Sequence, residues 1–189
     1  TGAIAPGIEA LAAASVVHDR FVYFYPLYRS GKDGVPIHGN LPARLPVNRL
    51  ENPAGHFEYW TSDGWQKEVT PKNARMIFSP GLSELSVRYL AEDGEWLAVY
   101  LSPENKGDRL LFATSRQPEG PWSPPAVLIP PIDEVDPKSP LYHPQTFCYA
   151  GKEHRQFARG RELVATYVCN SMEDIDDQDS FLRKNLFLY

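Results

Sequence analysis

The chain has 189 residues, 42% hydrophobic and 23% charged, with a formal net charge of −5. These values are typical of one soluble globular domain that is long enough to bury a sizeable core. The acidic balance and the lack of any Lys/Arg cluster argue against nucleic acid as a partner, and no apolar run approaches the roughly 18 residues of a membrane span.

Aromatic residues make up 12% of the chain and include ten Tyr and four Trp. This content suits broad β-sheets that pack face to face, and most of the rings are expected in such a core. It also suits sugar binding, because an aromatic ring can pack on the C–H face of a pyranose or furanose ring. Composition therefore predicts packed sheets and allows a carbohydrate ligand.

Residues 1–14 are predicted to be a lead-in segment, because they are small, apolar and interrupted by Gly and Pro, with a short helix allowed over 8–14. Residues 15–68 are predicted to form a first blade that contains a long Gly- and Pro-rich loop over 28–41. Its predicted strands are Val16–His18, Phe21–Tyr25, Arg44–Leu50 and Phe57–Trp60.

Residues 81–129 are predicted to form four consecutive short strands, each rich in Val, Tyr, Leu or Phe and bounded by Gly, Pro, Asp or Asn. The strands are Leu85–Leu90, Trp96–Leu101, Leu110–Ser115 and Ala126–Ile129. An antiparallel meander of four strands over this length is one β-propeller blade. Since such a blade cannot bury both of its faces alone, the stretch predicts neighbouring sheets.

The end of this meander reads Ala113-Thr114-Ser115-Arg116-Gln117-Pro118-Glu119-Gly120-Pro121-Trp122-Ser123. This run resembles the end-of-blade motif of five-bladed β-propeller glycosidases, the arabinanase, xylosidase and invertase group. Together with residues 85–89 and 96–100 it most resembles the domain-of-unknown-function family 4185, some members of which are endo-D-arabinanases. The resemblance covers about residue 16 to the C-terminus.

The resemblance implies an all-β fold of four-stranded antiparallel blades that belong to a five-bladed propeller. It also implies a carbohydrate-active protein, a glycoside hydrolase acting on a polysaccharide such as an arabinan. The alternative is a non-catalytic, lectin-like propeller that binds sugar, since one fold can host both functions. A compact β-fold that is not a propeller is the structural alternative.

Residues 141–189 are predicted to be a third blade, reached through the Pro-rich crossing 130–140. Leu141–Tyr149 is its predicted innermost strand, Glu162–Asn170 its second, and Leu186–Tyr189 the beginning of a third. Because propellers remove exposed edges by closing a ring, we expect these to be the C-terminal blades of a larger propeller. The expected protein partner is therefore the remaining blades, from missing sequence or from another chain.

The two cysteines, Cys148 and Cys169, lie near the ends of two candidate strands joined by a loop rich in charge and Gly. One strand register places them opposite each other and allows a disulfide, and two buried free thiols are the alternative. A disulfide is typical of oxidising compartments. We therefore expect a secreted or extracellular protein.

Candidate site residues come from the innermost predicted strands, because the first strand of each propeller blade lines the central channel. Glycoside hydrolysis uses two carboxylates, an acid with a raised pKa and a base or nucleophile. Glu84 and Asp19 are the best carboxylates in these strands and are predicted to be catalytic. The predicted substrate-binding residues are His18, Arg88, Tyr142, His143 and Gln145.

Several of these residues have a structural alternative. Glu84 could accept a hydrogen bond from the backbone of a neighbouring blade, or Arg88 could pair with it and hold it ionised. Gln145 stands where the resembled family often has Glu, and a neutral amide cannot act as acid or base, which favours binding over hydrolysis. In the resembled hydrolases an essential carboxylate comes from the first blades, so the partner of Glu84 is expected outside this chain.

No cofactor is predicted, because no His/Cys spacing suits zinc and no Gly-rich loop suits a phosphate group. The acidic run 173–179 offers several oxygen ligands at short spacing, which calcium would accept. It lacks the Gly and the terminal bidentate Glu of an EF-hand loop. A solvated loop is therefore the expected state of this run, and no metal ligand is assigned.

Overall fold

The computed structural model describes residues 4–30, 37–159 and 162–172. Over these residues the chain is almost entirely β-structure, as predicted. The first eight strands are β1 (Ile8–Glu9), β2 (Ser15–His18), β3 (Phe21–Phe24), β4 (Leu27–Ser30), β5 (Ile37–Asn40), β6 (Ala43–Pro46), β7 (Glu58–Thr61) and β8 (Gly64–Gln66). The others are β9 (Ser86–Leu90), β10 (Glu95–Leu101), β11 (Leu110–Ser115), β12 (Ala126–Ile129), β13 (Thr146–Glu153) and β14 (Ala165–Ser171).

Helical structure in this part of the chain is confined to two short 3₁₀ turns, Val47–Arg49 and Arg155–Phe157. Among the described residues, no helix has the length and apolar character that a membrane crossing requires.

The described strands form four sheets. Strands β9 to β12 form one of them in the order β12-β11-β10-β9, which is the predicted four-stranded blade. The last two of its predicted strands have the observed bounds, and the first two differ from prediction by one residue at their starts. The remaining sheets have the orders β2-β3-β6-β7-β8, β1-β4-β5 and β13-β14.

Several details differ from the sequence prediction. The predicted strand Arg44–Leu50 ends early, because β6 stops at Pro46 and Val47–Arg49 is a 3₁₀ turn. The predicted strand Glu162–Asn170 is β14, which begins at Ala165 and ends at Ser171. The expected loop over 28–41 contains a hairpin, because β4 pairs antiparallel with β5. The lead-in forms the short strand β1 on β4 in place of the helix that 8–14 allowed. The strand predicted as the innermost of a third blade begins at Thr146 and not at Leu141, because Pro144 lacks an N–H for a sheet ladder. The predicted strand Leu186–Tyr189 lies outside the described residues.

The chain divides into two compact units, and each has its own core. Unit 1 comprises Thr1–Ser83, Val87–Leu97 and Thr114–Ser123, and unit 2 comprises Glu84–Ser86, Ala98–Ala113 and Pro124–Tyr189. Unit 1 buries a cluster made of Tyr28, Leu41, Ala43, Leu45, Phe57 and Tyr59. Buried residues of unit 2 include Ala98, Val99, Leu101, Leu110, Ile132, Val135 and Cys148.

Asn40 is a fully buried polar residue that connects three segments of unit 1. Its Nδ2 donates to the carbonyl oxygens of Tyr25 and Leu82, each at 2.9 Å, and its Oδ1 accepts from the Leu82 amide at 2.7 Å. The Asn40 backbone amide also donates to the Phe78 carbonyl at 3.0 Å. These bonds hold the segment from Phe78 to Leu82, which leads into the second blade.

Gly81 permits the close approach that this network needs. A Cβ atom at Gly81 would lie 2.6 Å from Leu27 Cδ2 and 3.1 Å from the Gly39 Cα. Any side chain at position 81 would therefore push the segment away from Asn40 and stretch the hydrogen bonds to Leu82.

We predict that Asn40→Ala lowers the free energy of unfolding by about 3 kcal/mol, because it leaves buried backbone groups of Tyr25 and Leu82 without their side-chain partner. Equilibrium unfolding in urea measures the change. Asn52→Ala is the matched control, since Asn52 is exposed and its loss should cost less than about 0.5 kcal/mol. Equal stabilities of the two variants would contradict this role of Asn40.

Cys148 and Cys169 form the predicted disulfide. They are directly opposite each other in the antiparallel pairing of β13 with β14. The bond therefore links β13 to β14 within unit 2, and Cys148 is itself buried.

Replacing both cysteines by alanine should lower the free energy of unfolding by about 3 kcal/mol, because the cross-link spans 21 residues of sequence and restricts the unfolded chain. Urea unfolding of the double variant beside the wild type, each with and without a reductant, measures this loss. Reductant should destabilise only the wild type. A wild type as stable after reduction as before it would show that the disulfide contributes nothing.

Candidate functional site

The predicted site residues of unit 1 lie in different environments. The ring of His18 packs 4.4 Å from that of Tyr89 and 4.9 Å from that of Trp96, measured between centroids. Its Nε2 atom is 3.6 Å from Oδ2 of Asp19, whose side chain is 80% exposed. Arg88 lies half-buried on β9. His18 thus belongs to an aromatic cluster, while the Asp19 carboxylate faces solvent.

Glu84, in unit 2, contacts the backbone of the third blade. Its Oε2 accepts a hydrogen bond from the Ala150 amide at 2.7 Å. Two residues later, Ser86 Oγ accepts from the Glu153 amide at 2.8 Å. The residue that accepts the hydrogen bond moves from position 84 to 86, while the residue that donates it moves from 150 to 153. These two segments therefore run side by side in the same direction. The backbone contact that the sequence left open for Glu84 is therefore present.

Tyr142, His143 and Gln145 lie in the turn that precedes β13. The Tyr142 side chain is 38% exposed. The His143 amide donates to the Glu134 carbonyl at 3.1 Å, which joins this turn to the connector between β12 and β13. Gln145 is exposed as well. These three residues therefore lie in the turn before β13, and not within the strand in which the sequence analysis placed them.

A concave pocket of about 240 Å³ lies beside this turn, within unit 2. Five of its eight lining residues are apolar, and the other three are two acids and a tyrosine. The lining residues are Ile129, Pro130, Pro131, Ile132, Leu141, Asp133, Glu134 and Tyr167. Since Leu141 directly precedes Tyr142 and His143, the pocket is adjacent to the predicted substrate-binding residues.

The pocket wall is held by backbone hydrogen bonds. The Ile132 amide donates to the Asp108 carbonyl at 2.7 Å, and the amides of Val135 and Asp136 both donate to the Ile132 carbonyl. Asp108 is buried, and its carboxylate accepts two hydrogen bonds from Arg109, at 3.0 and 2.6 Å. The segment that carries Asp133 and Glu134 is therefore fixed before any ligand binds.

The chemistry of the pocket fits a ligand with an apolar face and several hydroxyl groups. Its proline, leucine and tyrosine side chains can pack against C–H groups, and the carboxylates of Asp133 and Glu134 can accept hydrogen bonds. The sequence prediction missed Asp133, Glu134 and Tyr167, because it searched the innermost strands alone. Two consecutive acids directly after the apolar run Ile129–Ile132 were the available signal.

Unit 1 contains a second cluster of charged and aromatic groups, centred on Arg44. The guanidinium lies between the rings of Phe21 and Trp65, at 4.3 and 4.4 Å from their centroids. Its Nε donates to Glu58 Oε2 at 2.6 Å. The Arg44 guanidinium thus makes two cation–π contacts and one charge-assisted hydrogen bond.

Glu119 belongs to the same cluster. Burial raises the pKa of its carboxyl, and the hydrogen bond from its own backbone amide, the charge of Arg44 and the hydrogen bond from the Trp65 indole oppose this rise. Burial likewise raises the pKa of Tyr23. Because these groups bond to one another, we interpret the cluster as sheet packing and do not assign it as a ligand site.

Glu119→Gln should remove a pH dependence of stability. A carboxyl whose pKa is raised in the folded state contributes stability below its ordinary value of 4.5 and loses that contribution as pH rises through the folded-state pKa. Between about pH 4 and pH 8, the wild type should therefore lose more stability than the variant. Urea unfolding at several pH values measures the difference, and a constant difference would contradict the raised pKa.

The described residues contain no group of three or more His, Cys, Asp or Glu side chains arranged to hold a metal ion. The acidic run 173–179, which the sequence analysis named as an option for calcium binding, lies outside the described residues. Calcium binding by this run stays a prediction.

Three similarities to other proteins bear on the family and the fold. The family model described as DUF4185, domain of unknown function, matches residues 5–166. The "Notoamide biosynthesis cluster protein J'" of Aspergillus versicolor is 34% identical over 83 residues, which cover 42% of this chain and 21% of that protein. A crystal structure of a "putative hydrolase" from Bacteroides ovatus ATCC 8483 matches with a TM-score of 0.55 and 18% identity.

The crystal structure match covers 80% of this chain and 36% of the other. At this identity it shows a shared fold alone. The GH43 protein BlXynB of Bacillus licheniformis, a mutant, gives a TM-score of 0.33 at 14% identity, covering 83% of this chain and 36% of that one. The matches thus span about a fifth of the Aspergillus versicolor relative and about a third of the two solved chains.

Proposed function

Because this chain belongs to the DUF4185 family, we propose that it is a carbohydrate-active β-propeller protein that holds sugar in the pocket of unit 2. The observation that carries the proposal is the pocket itself, which combines a tyrosine, prolines and a leucine with two carboxylates. Sugar rings present an apolar C–H face and a rim of hydroxyl donors. The pocket offers complementary groups for both.

The reaction proposed for this site is hydrolysis of a glycosidic bond in a polysaccharide such as an arabinan. Such hydrolysis uses one carboxyl as general acid and a second as base or nucleophile. Asp133 and Glu134 are the two acids among the residues that line the pocket. The Glu134 carbonyl accepts the His143 amide, which joins it to a predicted substrate-binding residue. We therefore assign the acid role to Glu134 and the second role to Asp133.

The second candidate function is sugar binding without catalysis. It is favoured by Glu84, the best sequence-predicted acid, because its carboxylate is engaged by the Ala150 amide. Gln145 also favours this alternative, because a neutral amide at the position where the resembled family often has Glu cannot transfer a proton. In this alternative the pocket keeps its ligand and the carboxylates serve as hydrogen-bond acceptors alone.

The proposal also covers the partners and the cellular location of this protein. The carbohydrate is its small partner, and the remaining blades of a propeller, from further sequence or another chain, are its protein partner. A secreted or extracellular location is supported by the Cys148–Cys169 disulfide, since such bonds persist in oxidising compartments.

The proposed function is tested with arabinan oligosaccharides, using binding by titration calorimetry and release of reducing ends. Tyr167→Ala should weaken binding about tenfold, a loss of about 1.4 kcal/mol. Glu134→Gln should abolish hydrolysis and keep binding within about threefold, because glutamine retains an acceptor but cannot donate a proton as an acid. Asp133→Asn tests the second carboxylate in the same way.

Glu92→Gln is the matched control, because Glu92 is an exposed acid in the turn between β9 and β10. It should change neither binding nor hydrolysis. Binding without hydrolysis in the wild type would select the lectin-like alternative. Failure of the wild type to bind arabinan and other plant or bacterial polysaccharides would overturn the proposal.

A further inference from the structure

The third blade contains a β-bulge at the point where its second strand enters the pocket. In the pairing of β13 with β14, Tyr149 is opposite Val168 and Lys152 is opposite Thr166. Ala150 and Gly151 on β13 therefore face the single residue Tyr167 on β14, which is the arrangement of a bulge. Tyr167 is also the aromatic residue of the pocket wall. The geometry of the bulge thus influences where this ring lies.

Two contacts fix the bulge. The Ala150 amide, on a residue with the left-handed φ of +56°, donates to Glu84 Oε2 at 2.7 Å. Gly151 packs so tightly that a Cβ at this position would lie 2.7 Å from the backbone nitrogen of Leu101 and 2.8 Å from Leu110 Cδ1. Gly151 therefore fixes the depth of the bulge, and the carboxylate of Glu84 fixes the orientation of the peptide group next to it.

We propose that Glu84 is a positioning residue for the pocket: by holding the Ala150 amide it sets the bulge and, through the bulge, the place of the Tyr167 ring. This proposal rests on the proposed function for its ligand, but its structural part does not need one. Under this proposal Glu84, which the sequence analysis chose as the best candidate acid, holds a backbone amide and does not transfer a proton.

The hydrogen-bond chemistry separates positioning from catalysis at this residue. A glutamine side chain has an amide oxygen that can accept the Ala150 N–H, so Glu84→Gln preserves positioning. The same exchange destroys a general acid or base, because an amide does not titrate in this range. Alanine removes the acceptor and leaves the Ala150 amide without this bond, which favours a different bulge geometry.

Ser86 supplies the matched control. It lies on the same segment and accepts the Glu153 amide at 2.8 Å, beyond the bulge, where Glu153 is opposite Ala165 in regular pairing. Ser86→Ala therefore removes a similar contact between the same two segments without touching the bulge. Any effect shared by Glu84→Ala and Ser86→Ala reports general loosening of the blade.

The first readout is the ring resonance of Tyr167 in the ligand-free protein, assigned through Tyr167→Phe. Glu84→Ala should shift this resonance and speed hydrogen exchange of the Ala150 amide, whereas Glu84→Gln and Ser86→Ala should leave both near wild type. An unchanged Tyr167 resonance in Glu84→Ala would overturn the proposal. If Glu84→Ala does not fold, Glu84→Asp, which shortens the side chain by one methylene, should show a smaller shift of the same kind.

The second readout is function with arabinan oligosaccharides. Positioning predicts that Glu84→Ala weakens binding about tenfold while Glu84→Gln stays within about twofold in both binding and hydrolysis. Loss of hydrolysis in Glu84→Gln, with sugar affinity unchanged, would overturn the proposal and make Glu84 a catalytic residue. If the wild type binds no sugar but the Tyr167 resonance responds as expected, the proposed function fails and the positioning role stands.

Discussion

The buried side chain of Asn40 satisfies backbone groups of Tyr25 and Leu82, two residues that lie outside the strands of unit 1. An amide has both donors and an acceptor, so one residue can serve the Tyr25 carbonyl and both backbone groups of Leu82. Buried backbone groups that stay unpaired cost as much as a lost hydrogen bond. The entry into the second blade is therefore fixed by a side chain as well as by strand pairing.

Unit 2 uses the same solution with different residues. Glu84 and Ser86 accept backbone amides of the segment that runs beside them, and the Lys106 carbonyl accepts the Cys148 amide at 2.7 Å. The ammonium of Lys106 also donates to the Pro144 carbonyl in the turn before β13. Side chains and loop carbonyls thus hold the turn before β13 and the beginning of that strand.

The two groups of charged residues in the molecule differ in what surrounds them. In unit 1, Arg44 is enclosed by two rings and paired with Glu58, so its charge is already neutralised within the fold. In unit 2, Asp133 and Glu134 stand on the wall of a concave surface. The Arg44 cluster is therefore explained by packing of the sheet, whereas Asp133 and Glu134 belong to the lining of a pocket and are proposed to contact a ligand there.

The sequence by itself determined the β-class and the four-stranded meander, because strand periodicity and turn residues are local properties of the chain. It left open whether Cys148 and Cys169 are bonded, and the register of β13 on β14 decided this. It also marked Glu84, Tyr142 and His143 as residues near a site. Only the tertiary structure decided that the Glu84 carboxylate meets the Ala150 amide and that Asp133, Glu134 and Tyr167 share a pocket. These residues are brought together by packing of segments far apart in sequence, and local patterns carry no information about which distant backbone group a side chain will meet.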